Sequence, residues 1–250
     1  MRYTALLRLV GVTHCVVYNV PSDVRIFDAQ NATSTNSEEV FQPLRLGIYG
    51  GTFDPIHFGH LAVARDVFSV FKLSRVIFVP ARQSPMRDPP VASAHDRLAM
   101  VRLALGGIGE FRVSSIDVDR PAPSFMIDTI QRFLDEYPSA EMFVIIGADA
   151  LAEISSWRKL DELMDLAQII AVPRPGFSMC VPSQVEAELA NARYRVHLHS
   201  MPTIDISASH VRTLCARQSS ISTCVPPAVA KYVAAHQLYV NDQLGRSNPK

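Results

Sequence analysis

From Arg45 to Val172 the chain repeats one pattern: a short apolar run, then a longer stretch in which apolar residues return at helical spacing. The runs are Leu46–Tyr49, Arg75–Val79, Met142–Ile146 and Ala167–Val172. An unbroken apolar run has no polar face to give to water, so a strand made from it must be covered on both sides. Between the runs, Leu61, Ala64, Phe68 and Phe71 fall on one face of a helix expected from about His57. Ser93-Ala94-His95-Asp96 is a helix-start pattern, and Leu98, Val101 and Leu105 share the face behind it. Ile127, Ile130 and Leu134 mark another helix, and Phe111–Ile116 reads as a further strand.

Strands that alternate with covering helices pair in parallel, and right-handed crossovers place the helices on both faces. The expected fold is therefore α/β, a Rossmann-like doubly wound parallel sheet. Such sheets take ligands at the carboxyl ends of their strands, so the residues after Tyr49, Val79, Ile146 and Val172 are expected to line the site.

Residues 1–44 do not share the pattern, and Ala29 to Glu39 is polar with no period that would bury a face. They are read as a partly disordered N-terminal extension, ahead of a domain at 45–240 and a tail at 241–250. Lys+Arg and Asp+Glu both number 24, which leaves no basic excess for a nucleic-acid surface. No apolar run approaches the ~18 residues of a membrane-crossing helix. The apolar stretch Tyr3–Val20 carries Arg8, His14 and Asn19 and is followed by no clean cleavage site, so a cytoplasmic location is expected. Cys15, Cys180, Cys215 and Cys224 form no CxxC pair and no zinc spacing, which suits reduced thiols. Whether the chain forms a homo-oligomer is left open.

Chemistry concentrates in two segments. Gly50 to His60 reads GGTFDPIHFGH. Gly50-Gly51 lets backbone approach a ligand, Asp54-Pro55 turns the chain, and His57 and His60 face the same way at a helix start. Exposed N–H groups at such an end attract phosphate, and two imidazoles beside it can stabilise added charge on phosphorus. Ile206 to Arg212 reads ISASHVR. Ser207 can cap the helix it begins, while Ser209 and Arg212 add a hydroxyl and a guanidinium near the same end. A zinc site on the histidines lacks a third ligand.

The first segment resembles the HxGH signature of the nucleotidyltransferase superfamily, and Gly50 to Pro55 resembles its adenylyltransferase form. The second resembles the superfamily's ISSTxIR signature, departing at Ala208 and Ser209. Further segments resemble the nicotinate-nucleotide adenylyltransferase family: Arg120 to Phe125 with Asp128-Thr129, Ile145 to Leu151 (IIGADAL), Trp157, and Arg174-Pro175-Gly176. The departures are Phe125 and Met126, where the family carries hydroxyls, and Met86, where it carries an imidazole. Read without the resemblance, Trp157 could be a core aromatic, Asp149 a helix cap and Arg174 a surface charge.

The resemblance implies transfer of AMP from ATP to nicotinate mononucleotide, giving deamido-NAD and pyrophosphate. It implies ATP binding by Gly50, Gly51, Thr52, Phe53, His57, His60, Gly147, Asp149, Ser207, Ser209 and Arg212, with His57, His60 and Arg212 catalytic. It implies an acceptor pocket of Thr52, Arg87, Ser124, Thr129, Trp157 and Arg174. Mg²⁺ is expected on the ATP phosphates, without protein ligands. The alternatives are another acceptor on the same fold, nicotinamide mononucleotide or phosphopantetheine, and a non-catalytic nucleotide-binding module. No nucleic-acid or membrane partner is expected.

Overall fold

The computed structural model describes residues 43–240, apart from Met86, Pro175, Ser178, Cys180, Gln184, residues 187–194 and Thr203. The expected extension up to residue 42 and the expected tail at 241–250 lie outside the described residues.

The apolar runs become β1 (Arg45–Gly51), β2 (Arg75–Pro80), β4 (Glu141–Gly147) and β5 (Ala167–Val172), joined by the short strands β3 (Phe111–Val113) and β6 (Val196–Leu198). Around them lie α1 (Phe58–Val70), α2 (Ala94–Leu105), α3 (Met126–Glu136), α4 (Ala148–Ala152), α5 (Leu160–Leu166), α6 (Ala208–Ala216) and α7 (Pro227–Ala235). All pairings are parallel, in the order β3-β2-β1-β4-β5-β6. The period-2 alternation of strand side chains then divides each run between two cores. Tyr49, Phe78, Phe143, Ile145 and Ile170 join one cluster with α1, α2, α6 and α7. Ile48, Ile77, Val144, Ile146 and Ile169 join the other with α3 and α5. Both faces are covered, which is why the runs carry no polar alternation.

Ile48 pairs with Ile77 on one side and Val144 on the other. From β1 the chain winds outward through β2 to β3; from β4 it winds the opposite way through β5 to β6. Between β1 and β4 the winding reverses, and a crevice opens beyond the ends of these strands.

Two strands differ from expectation. Phe111–Ile116 was expected to be extended throughout, but β3 ends at Val113. Ser114 N–H makes one more bond to Phe78 O (2.9 Å), then the Ser114 hydroxyl takes Ile116 N–H and the Ser115 hydroxyl bonds Asp119. Short polar side chains here compete with the ladder and turn the chain away. β6 carried no readable signal, being three half-exposed or exposed residues at an edge.

Arg97 on α2 is fully buried. Its guanidinium donates to Thr52 O (2.6 Å), Ala81 O (2.7 Å), Arg82 O (2.9 Å) and Ala92 O (3.2 Å). It thereby joins the loop after β1 to both ends of the loop after β2. Replacing it by apolar Met leaves those carbonyls unpaired in the interior. Arg97→Met is expected to lower stability by about 3–5 kcal/mol. Urea unfolding measures this, and a loss below about 1 kcal/mol would mean that water takes over the carbonyls.

Candidate active site

The loop leaving β1 is shaped by its own aromatic ring. Phe53 adopts a left-handed backbone (φ 50°), uncommon for a bulky residue. Its ring is buried against Tyr49 (5.5 Å between centroids) and Phe78 (5.6 Å), and its edge meets His60 at 5.0 Å. A Cβ on Gly51 would come within 2.9 Å of that ring, so glycine is required for Phe53 to fold back beneath the loop. Phe53 thus wedges its ring against His60 and also lines the cavity described below.

His57 is the N-cap of α1 and His60 the third residue after it. His57 N–H donates to His60 Nδ1 (3.2 Å), which places the proton of a neutral His60 ring on Nε2. The two rings lie against each other at a tilt of 32°, with centroids 3.7 Å apart. A Cβ on Gly59 would stand 3.0 Å from the His57 ring atoms Nδ1 and Cε1, so the glycine between the histidines is what lets His57 lie there. His57 Nδ1 is buried and makes no hydrogen bond. Burial pushes the His57 imidazole down to about 4, with the Arg174 charge adding to the effect. His60 is held well below its ordinary value by burial, then by His57 and Arg174. Both rings are therefore neutral near pH 7.

The second motif meets the first. The same imagined Cβ on Gly59 would lie 3.6 Å from Ile206 O, just before α6. Ser207 caps α6, accepting His210 N–H at 3.2 Å, and its hydroxyl pairs with that of Ser209 at 3.0 Å. Arg212 Nη1 donates to Asp54 O at 2.9 Å. The resulting cavity, about 640 Å³, is lined here by His57, His60, Ser207, Ser209 and Arg212.

Gly50, Gly51, Thr52 and Gly147 line the cavity. A Cβ on Gly147 would strike Asp149 Oδ1 at 2.6 Å. Asp149 is 3% exposed, and its Oδ2 accepts from both Arg87 and Arg174. It caps no helix, and its Oδ1 is buried without a partner. The two arginines expected to meet the acceptor are thus engaged with an internal carboxylate in this structure. Trp157 is half-buried and lines the cavity with Phe125, Met126 and Arg158. Arg158 lies over the Phe125 ring, 4.7 Å from its centroid.

Ser124 borders the cavity, but its hydroxyl accepts Arg82 N–H (3.0 Å). Thr129 is not brought to the cavity: it is fully buried on the inner side of α3. Its hydroxyl donates to Asp117 Oδ1 (2.8 Å) and accepts from Arg120 (3.0 Å). Burial pushes the Asp117 carboxyl up, partly offset by Thr129 and Arg120. Four features escaped the sequence reading: Gly59, Arg97, the Asp54 side chain and Arg158. Gly59 was visible as the glycine inside HFGH. Apart from the Arg97 bond to Ala92, the contacts described for the others span 15 residues or more and leave no local pattern.

A family model described as cytidylyltransferase-like matches residues 48–214. A Herpetosiphon aurantiacus protein named "Probable nicotinate-nucleotide adenylyltransferase" is 40% identical over 198 residues, covering 78% of this chain and 98% of that protein. A Corynebacterium kroppenstedtii protein of the same name is 39% identical over 206 residues, covering 82% and 95%. The chain belongs to the nicotinate-nucleotide adenylyltransferase family. It is accordingly an enzyme, a nucleotidyltransferase of NAD biosynthesis. The fold of the Plasmodium falciparum nicotinic acid mononucleotide adenylyltransferase, solved in complex with NaAD, is similar: TM-score 0.64 at 19% identity, covering 78% of this chain and 97% of that one. The same enzyme in complex with APC gives a TM-score of 0.61 at 20% identity, with the same coverage.

The neutral state of His57 has a consequence for stability. The unfolded chain takes up a proton below about pH 6.5, while the folded one resists until about 4. The unfolded state therefore binds more protons in that window, and stability falls as the pH falls. Between pH 7 and 5 His57 should remove about 2 kcal/mol, in the absence of nucleotide. His57→Gln should flatten that part of the urea-unfolding profile; an unchanged slope would show that His57 is already charged in the folded protein.

Proposed function

We propose that the cavity holds Mg·ATP across α1 and α6, and that the chain transfers its AMP to the phosphate of nicotinate mononucleotide. The observation that carries this is the close, neutral imidazole pair at the start of α1, set against the start of α6 where the sheet's winding reverses. A phosphate oxygen of the mononucleotide attacks the α-phosphorus of ATP. The bond from that phosphorus to the β-bridging oxygen breaks, and pyrophosphate leaves. No protein nucleophile is required, because positioning and charge stabilisation carry such transfers. Neutral imidazoles donate hydrogen bonds without pre-empting the charge. Arg212, Ser207 and Ser209 would hold the departing pyrophosphate.

Mg²⁺ enters as part of the substrate. Asp54 is committed to Val91, Ala92 and Tyr239, and Asp149 to two arginines. Among the described residues no group of three His, Cys, Asp or Glu side chains is arranged to hold a metal. These carboxylates fit an ion held by phosphates and water, which Mg²⁺ favours.

For the acid over the amide, the supporting residue is Arg158. It follows Trp157, whose flat face suits a pyridine ring, and it brings a cation to that part of the cavity. Its ion pair with Asp128 is long (3.9 Å), and Asp128 also faces Arg120 at 3.6 Å. A carboxylate on the pyridine ring would give that guanidinium a closer counter-ion than Asp128. We read residues 45–240 as the catalytic unit. Cytoplasmic residence is consistent with the finding that no described helix is long and apolar enough to cross a membrane.

The test is pyrophosphate release with Mg·ATP and either nicotinate or nicotinamide mononucleotide. The acid should be preferred, and His60→Ala should lower kcat/KM by about 100-fold or more. Arg158→Gln should lower kcat/KM about tenfold for the acid and leave the amide unchanged. Equal use of both acceptors would move the substrate; absence of turnover with either would remove the assignment.

A further inference from the structure

The side chain of Arg158 is half open to solvent, at 51% exposure, and a long side chain in that setting has much rotamer freedom to lose. The backbone on either side of it is fixed. Trp157 N–H donates to Ile154 O (3.0 Å), and Lys159, in a left-handed conformation (φ 52°), offers its carbonyl to Leu163 N–H (3.0 Å). The guanidinium lies over the Phe125 ring, 4.7 Å from the centroid. Its ion pair with Asp128 Oδ2 is long at 3.9 Å, and the same oxygen faces Arg120 Nη1 at 3.6 Å. Phe125 is anchored from behind. It is the N-cap of α3, and its carbonyl accepts Arg120 Nη2 (2.9 Å) and Thr129 N–H (3.3 Å). Arg120 is held in turn by Asp117 Oδ1 at 2.9 Å. Phe125, Trp157 and Arg158 all line the cavity.

An aromatic face attracts a guanidinium through its quadrupole and brings no net charge of its own. A carboxylate packed in the same place would neutralise the cation; the ring orients it and leaves its charge for a ligand. We propose that Phe125 is a positioning residue for Arg158, and that through Arg158 it sets the preference for an acceptor carrying a carboxylate on its pyridine ring. Phe125 holds the guanidinium at the cavity wall beside Trp157. Asp128, shared at long range between two arginines, leaves room for a closer counter-ion. The inference rests on the reading of Arg158 as the group that favours the acid.

The test measures kcat/KM with Mg·ATP for nicotinate and for nicotinamide mononucleotide, and reads their ratio. Loss of contact between Phe125 and the pyridine ring is common to both acceptors and cancels. Phe125→Leu keeps an apolar side chain and removes the aromatic face; its thermal midpoint reports that the fold is retained. It should lower the acid-to-amide ratio about three- to fivefold, the effect of one exposed cation–π contact. Phe125→Met, longer and equally without a face, should do the same and stands in if the Leu variant does not fold. Phe125→Tyr keeps the face and should hold the ratio within about 1.5-fold. In an Arg158→Gln background, Phe125→Leu should change the ratio less than about 1.5-fold, because no guanidinium is left to orient. A role in pocket shape alone would carry the loss into that background. Such persistence, an unchanged ratio in Phe125→Leu, or a Tyr variant as impaired as the Leu variant overturns the proposal. If Arg158→Gln by itself leaves the ratio unchanged, the reading of Arg158 fails and this inference with it. If Arg158→Gln lowers the ratio and Phe125→Leu does not, only the inference falls.

Discussion

Two buried opposite charges hold the loops of this protein as hydrogen bonds hold its strands. Asp54 collects the N–H groups of Val91 and Ala92, and Arg97 collects the carbonyls of Thr52, Ala81, Arg82 and Ala92. Either charge alone would cost several kcal/mol to bury. Surrounded by backbone dipoles, and close enough for the Asp54 charge to act on Arg97, they are tolerated together. They fix the loop after β1 against the loop after β2, and the cavity lies between what those loops carry.

The frame was readable because its physics is local and periodic. Ile48, Ile77, Val144 and Ile169 each sit in a run without polar interruption, and only a sheet covered on both faces satisfies such runs. The histidines were readable because a helix start and its spacing are written within eleven residues. Thr129 shows where the reading stopped. The face expected from Ile127, Ile130 and Leu134 does not include Thr129, yet α3 buries Thr129 together with Ile127, Ile130 and Phe133. Arg97 and Tyr239 show the other limit. Their partners lie 5–45 and 185 residues away, so no window of sequence could reveal that they meet the loops of the site.

The electrostatics of the cavity are arranged around neutrality. His57 and His60 are kept uncharged by burial and by Arg174, while Arg87 and Arg174 are opposed by Asp149. A polyanion entering this space would supply the charge that each of these groups lacks. It would raise the imidazoles toward protonation and compete with Asp149 for both arginines.

Arg97 recognises carbonyl oxygens and no side chains. Every residue, proline included, carries that oxygen. The bonds of Arg97 to Ala81, Arg82 and Ala92 therefore do not depend on which side chains those positions carry, although Ala92 is itself buried and lends its N–H to Asp54. A loop anchored in this way is free to drift in sequence: it can change what it shows to a small molecule while the path of its backbone is inherited intact.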